Sequence, residues 1–206
     1  MQLLEGIEQL GLTLDPIQVD QLESLLDGIE KWNRVYNLTR ITQRQQMVVM
    51  HLLDSLVLAE HLNDSPLLDV GSGAGFPGLP LAIARPFHDI VLLDAAQKRT
   101  RFTLQMKGEL QLENLSVVTQ RIEHYRPGFT FDQITARAFA PLQDLTSWVQ
   151  GLLSPEGRIL ALKGQYPAQE IAKTRELFPT AQVDCIELDV PGLDAERHLI
   201  EVRMQG

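Results

Sequence analysis

The rhythm of apolar and polar positions changes once along the chain, near residue 63. Before that point apolar residues recur at helical spacing. Leu22, Leu25, Leu26, Ile29, Trp32 and Tyr36 form one stripe, on a helix that Asp15 and Pro16 suit as N-cap and first-turn residues. Thr42 with Gln45 predicts a capping box for a further helix running through Leu62. From Pro66 onward, short apolar runs alternate with helical segments. The runs predict strands at 67–70, 90–93, 115–118, 133–136 and 158–162, with helices near 79–84, 97–110, 142–153 and 168–178. Two more strands, 181–188 and 198–203, are joined by a loop containing Pro191 and Gly192 rather than by a helix, so the last should run antiparallel. The expected fold is α/β. It is a doubly wound, mostly parallel, seven-stranded, Rossmann-like sheet over 64–206, with an N-terminal helical extension, 1–63, packed on it.

Composition narrows the classes of function. At 206 residues, 44% of them hydrophobic and 22% charged, the chain reads as an ordinary globular protein. It has no apolar run near the roughly 20 residues of a membrane helix. No Lys or Arg precedes Lys31, unlike the basic start of a signal peptide, so the expected compartment is the cytoplasm and no membrane is expected as a partner. A single cysteine, Cys185, excludes an internal disulfide framework and a cysteine-rich metal site. It falls in a late strand and is expected to be a small core residue. The net charge of −9 weighs against nucleic acid as a partner, yet basic residues gather at Lys31, Arg34, Arg40 and Arg44 and again at Lys98, Arg99, Arg101 and Lys107. Either cluster could equally be a solvated helix face.

The chemistry concentrates in the loop Asp69-Val70-Gly71-Ser72-Gly73-Ala74-Gly75-Phe76-Pro77-Gly78. A strand running into Gly71, Gly73 and Gly75 permits a tight turn and lets a ligand touch the main chain. Phe76 stands where a dinucleotide fingerprint needs its third glycine, and Leu79-Pro80 stand where a P-loop needs Lys and Ser or Thr. Pro77 and Pro80 also remove two N–H donors near the helix start, where a phosphate would want them. The loop therefore suits a bulky ligand without a pyrophosphate. Asp94, at the end of the next strand, is placed to accept bonds from two ribose hydroxyls.

This order of motifs resembles that of class I methyltransferases. The whole chain resembles the ribosomal small-subunit methyltransferase G family, also called glucose-inhibited division protein B. The segments that carry this are Trp32-Asn33-x-x-Tyr36-Asn37-Leu38-Thr39, His51-x-x-Asp54-Ser55, the glycine loop, Leu93-Asp94, Lys98-Arg99, Arg121-Ile122-Glu123, Arg137-Ala138-Phe139-Ala140, Leu162-Lys163-Gly164 and Glu196-Arg197-His198. The resemblance implies S-adenosyl-L-methionine as cofactor and methyl transfer to N7 of one guanine in 16S rRNA, free or in the small ribosomal subunit. By matching position, Gly71 and Phe76 would contact the cofactor, Ile122 and Glu123 would sit by the adenine, and Arg137 would lie near the cofactor.

Residues that are missing bear on the acceptor atom. A pyrimidine carbon acceptor needs a cysteine nucleophile in a strand-end loop, and Cys185 is not in one. An exocyclic amine acceptor calls for an Asp or Asn followed by Pro-Pro and an aromatic after the fourth strand, where this chain has Ala136-Arg137-Ala138-Phe139. No carboxylate cluster suggests a metal, and His51 with Asp54 reads as an ordinary helix pair. Guanine N7 needs no proton removed, so Arg137, Lys163 and Arg197 without an evident base suit it. Lys98, Arg101, Lys163 and Arg197 are the expected substrate contacts. Two alternatives stay open: a methyltransferase acting on a small molecule or protein, and a catalytically silent nucleotide-binding module.

Overall fold

The computed structural model describes residues 1–204, so the last two positions of the 64–206 segment lie outside it. The strands are β1 (Leu67–Val70), β2 (Ile90–Asp94), β3 (Leu115–Thr119), β4 (Phe131–Arg137), β5 (Leu153–Lys163), β6 (Ala181–Glu187) and β7 (His198–Met204). They make one seven-stranded sheet in the order β3-β2-β1-β4-β5-β7-β6. The first five are parallel, and β7 runs antiparallel between β5 and β6. Strand order reverses between β1 and β4, which opens a crevice at the carboxyl ends of these two strands.

The helices are α1 (Leu3–Gln9), α2 (Pro16–Tyr36), α3 (Arg44–Met47), α4 (Asp54–Leu56), α5 (Gly78–Ala84), α6 (Gln97–Glu109), α7 (Leu142–Val149) and α8 (Ala168–Leu177). One core joins the N-terminal helices to one face of the sheet, with Leu22, Leu25, Leu26 and Ile29 packed among the same buried residues as Leu79, Leu92 and Phe102. Trp32 closes the stripe edge-on against Phe102, whereas Tyr36 is 43% exposed. Leu68, Ile134, Leu142 and Ile159 anchor the core on the other face.

Asp15 caps α2 as the sequence suggests, and Gln18 closes the capping box by accepting from the Asp15 N–H. Gln18 does more: its amide donates to the carbonyls of Ile83 (2.7 Å) and Ala84 (3.3 Å) at the end of α5. Local helix initiation and long-range docking thus use one side chain.

Four expectations need correction. Thr42 caps nothing. The helix starts at Arg44 after an N-cap, Gln43, that makes no side-chain bond, and Thr42 lines a groove beside the end of α2. That helix is also not continuous: Val48–Leu53 is π-helical between α3 and α4, and a 3-10 turn, Ala59–His61, follows. Cys185 is exposed, because β6 is the sheet's edge strand and most of its side chains face solvent. Strand β5 begins at Leu153, five residues before the expected run, through an irregular pairing with β4. Gly157, where a Cβ would press on the Phe131 carbonyl, makes that irregularity possible.

Because Gln18 serves the cap and the docking together, Gln18→Ala should lower unfolding free energy by about 2 kcal/mol, more than the ~1 kcal/mol of a cap alone. Urea denaturation checks the difference against Asp15→Ala.

Candidate active site

The loop between β1 and α5 takes positive φ at Gly71 (69°), Gly73 (59°) and Gly75 (89°). It spends its own donors. The N–H groups of Gly75 and Phe76 donate to the Ser72 carbonyl, and that of Leu79 to Gly75. Gly78, the first residue of α5, donates to the Asp69 carboxylate at 2.9 Å. These are the groups a phosphate would need, so a ligand without one is what the loop can accept. Burial raises the Asp69 carboxyl to about 7, with the Gly78 N–H working against that shift.

Beyond the loop lies a cavity of about 440 Å³ lined by Gly71, Asp94, Ile122, Glu123, Phe139 and Trp148, among others. Asp94 is buried at the end of β2. It accepts the Gly73 N–H at 2.9 Å and the Ala96 N–H at 2.7 Å, and the Arg99 guanidinium lies 3.5 Å away. A carboxylate offers about four acceptor positions, so about two remain for vicinal hydroxyls. At Gly73 a Cβ would meet nothing nearer than the Gly71 carbonyl at 3.9 Å, so the main chain there is open to a ligand. Phe139 packs directly over Gly71 and edge-on to Trp148, which makes the wall aromatic. A nucleoside carrying a sulfonium tail fits these residues: a carboxylate for its ribose, apolar walls for its base and no phosphate donors.

A second cavity, of about 420 Å³, lies on the other side of Ala138, which lines both. Its walls include Met50, His51, Asp54, Arg137, Lys163 and Arg197. Asp54 is 4% exposed and accepts from Arg137 Nη1 at 2.9 Å and Arg197 Nε at 2.6 Å. Arg137 also donates to the Met50 carbonyl and lies over the Phe76 ring, 5.3 Å from its centroid. The Lys163 ammonium donates to Glu170 at 2.7 Å and to the Ala140 carbonyl at 2.9 Å. His51 stacks on Phe76 at 4.6 Å and shares a hydrogen bond with the Thr39 hydroxyl at 2.9 Å. Burial, helped by the nearby Arg137 charge, lowers its pKa to about 4, so it is neutral at pH 7.

The residues singled out in the sequence therefore divide. Gly71, Asp94, Ile122 and Glu123 line the first cavity, and Gly73 ties the loop to Asp94. Gly75 and Phe76 stand behind it: a Cβ on Gly75 would run into Leu79, and Phe76 is buried under His51. Arg137, Lys163 and Arg197 meet in the second cavity, while Lys98 and Arg101, on α6, line neither. The pairing of His51 with Asp54 was misread, since each bonds to a distant residue instead. A charged side chain inside the apolar run from Met47 to Leu58 was the available signal, because a buried carboxylate needs cationic partners. Phe139 stands in the Arg137-Ala138-Phe139-Ala140 segment, which assigned it no role, and Trp148 carried no comparable signal.

His51 adds a sign to the pH dependence. Its folded pKa lies below its unfolded value of 6.5, so the unfolded chain binds more protons and wild-type stability falls as pH drops from 6.5 toward 4. Asp69 has the opposite sign, so the clean measure is a difference. The stability gap between wild type and His51→Gln, followed by urea denaturation, should shift by up to about 3 kcal/mol in favour of the variant between pH 7 and pH 4.

Comparison with known proteins supplies the family. A model of the family described as rRNA small subunit methyltransferase G matches residues 18–200. A protein of that name from Nitrosococcus oceani is 46% identical over 199 residues, covering 97% of this chain and 92% of its own. One from Chromobacterium violaceum is 45% identical over 205 residues, covering 99% and 97%. Among solved structures, an O-methyltransferase from Bacillus cereus superposes with a TM-score of 0.58 at 19% identity, over 87% of this chain and 90% of that one. That likeness shows the fold. With this fold, these two cavities and a match running from α2 into β7, the chain belongs to the rRNA small subunit methyltransferase G family.

Proposed function

We infer that this enzyme transfers the methyl group of S-adenosyl-L-methionine to N7 of a guanine in 16S rRNA, acting in the cytoplasm on the RNA or on the small ribosomal subunit. The observation that carries the reading is the state of the groups around the second cavity. The side chains there are poor bases. Asp54 accepts from two guanidinium groups, Lys163 is bonded to Glu170, and His51, bonded to Thr39 through Nε2 with its Nδ1 unpartnered, is held by burial at a pKa of about 4. An amine, hydroxyl or carbon acceptor would need a base or nucleophile there. The N7 lone pair of guanine needs neither.

The residues then take these roles. Asp94 holds the ribose, with Gly71 and Gly73 leaving the main chain bare beside it. Ile122 and Glu123 flank the adenine. Gly75 and Phe76 keep the loop in shape from behind, and Arg137, clamped by Asp54 and lying over Phe76, orders the wall between the cavities. The bound cofactor supplies an electrophilic methyl group on its sulfonium. Lys163 and Arg197 donate to O6 on the same edge of guanine as N7, which positions the base for in-line attack. Lys98 and Arg101 meet phosphate at the rim. The helical extension, 1–63, contributes His51 and Asp54 and so forms part of the site.

Gly73→Val should abolish S-adenosylmethionine binding in calorimetry while circular dichroism stays native, because the side chain enters the open space beside Asp94 and the φ of 59° strains it by about 1–2 kcal/mol. Undiminished affinity in a folded variant would remove the cofactor assignment.

The acceptor atom has its own test. Methylation at N7 leaves a cationic guanine that borohydride reduces, after which aniline breaks the chain at that nucleotide. RNA treated with this enzyme should break at one guanine, and mock-treated RNA should stay whole. The rate should be nearly flat across neutral pH, since no base must first be deprotonated. Methyl-labelled RNA that survives the treatment intact would mean a different acceptor atom.

A further inference from the structure

A separate groove, of about 1000 Å³, lies beside the two cavities of the candidate site. It runs between the end of α2 and the chain that follows, and its walls include Asn33, Arg34, Thr39, Arg40, Thr42 and Arg99. The motif Trp32-Asn33-x-x-Tyr36-Asn37-Leu38-Thr39 builds it. Asn37 ends α2 in the left-handed conformation (φ 49°), and the Asn33 side chain then accepts the Thr39 N–H at 2.9 Å, folding the chain back along the helix. The Thr39 hydroxyl meets His51 from that turn. Segment 38–42 is therefore a partition. Ile41 faces the cavity around Asp54, while Leu38, Thr39, Arg40 and Thr42 face the groove. At the other end Arg99 lines both the groove and the cofactor cavity.

The charges are arranged to leave the groove positive. Arg34 and Arg40 are exposed, and among the described residues neither takes part in an ion pair. The acidic residue on the groove wall, Glu30, is turned to Arg44 at 3.3 Å. Arg44 also binds Glu23 and Asp27, so this member of the N-terminal basic cluster serves the helices and not a ligand. Lys98 sits at the rim with its ammonium 3.4 Å from the Tyr36 carbonyl. A wide, polar, cationic channel that begins one strand of chain away from the base cavity fits a backbone of repeating anions.

We propose that this groove holds the RNA phosphates next to the target guanine, with Arg34 and Arg40 as the cations that meet them. The proposal rests on the rRNA reading given above, and it places the flanking nucleotides across the 38–42 partition from the methylated base. Arg34 and Arg40 are then binding residues remote from the reacting atoms. They should set the apparent KM for RNA and its salt dependence, and leave kcat and cofactor affinity alone.

The test uses the full chain, S-adenosylmethionine, and small ribosomal subunits from cells lacking the enzyme. Arg34→Gln, Arg40→Gln and the double variant are compared with wild type over a potassium chloride series at fixed magnesium, and retention of protein-free 16S rRNA on filters is measured alongside. Each single variant should raise the KM several-fold at moderate salt. The slope of log KM against log salt should become shallower by about 0.7 per lost contact and about 1.4 in the double variant. Calorimetric affinity for S-adenosylmethionine should not change, and Arg34→Lys with Arg40→Lys should recover most of the loss. Unchanged KM and slope in the double variant would overturn the groove assignment while leaving the rRNA reading in place. An effect with subunits but none on protein-free rRNA would also overturn it, since the groove would then touch ribosomal protein. Wild-type enzyme that methylates no rRNA would end both readings, and that result is visible before any variant is compared.

Discussion

The carboxylate of Asp54 joins three parts of the chain that share no secondary structure. Arg137 reaches it from the end of β4, Arg197 from just before β7, and Asp54 itself stands where the π-helical turn ends. A buried carboxylate with one partner removed would cost about 3–5 kcal/mol, so the three segments are held together more firmly than a surface pair could hold them. Two guanidinium groups on one carboxylate also leave one positive charge in excess at the cavity wall. The same contact that fixes the helices to the sheet therefore sets the electrostatic character of the second cavity.

That constraint reaches the cofactor loop through Phe76. Its ring lies under His51 on one element and beneath the Arg137 guanidinium on another, so the back of the glycine loop is gripped by both. The front is held differently, by the Gly73 N–H on Asp94. A loop rich in glycine is conformationally free on its own, and ordering it costs more than ordering most segments. Here the cost is offset by two contacts on opposite sides. The arrangement is also selective: Gly78 gives its N–H to Asp69 and Gly75 gives its to Ser72, so the loop is shaped for a nucleoside by spending the donors a nucleotide would have used.

Most of the sheet was legible in the sequence because parallel strands covered on both faces are short apolar runs, and β1 matches its run residue for residue. The loop and Asp94 were legible because their spacing carries their chemistry, whereas Ile122 and Glu123 were named only through the family resemblance. The π-helical turn was not, since nothing in the spacing of Val48 to Leu53 distinguishes it from an α-helix, and it decides which way Asp54 points. Nor could a sequence separate Lys163 and Arg197 from Lys98 and Arg101. All four read alike as cations after strands or on helices, and only the fold brings the first two to one cavity. Cys185 failed for a simpler reason: strand order, not residue type, put it on an edge.

The same logic resolves the conflict between an acidic chain and an anionic substrate. A net charge of −9 sums groups that an RNA strand never approaches, and in physiological salt a phosphate feels charges within about 8 Å. What matters is which carboxylates are already engaged where the RNA would lie. Around α2, Glu23, Asp27 and Glu30 converge on Arg44, away from Arg34 and Arg40. Burial works against the charge on Arg44, but those three carboxylates raise its pKa further still, so the guanidinium stays charged. Around the second cavity, Asp54 and Glu170 are each occupied by cations. The acidic residues nearest the site thus organise the basic ones instead of repelling the ligand, and a chain of this composition can present a positive surface where it needs one.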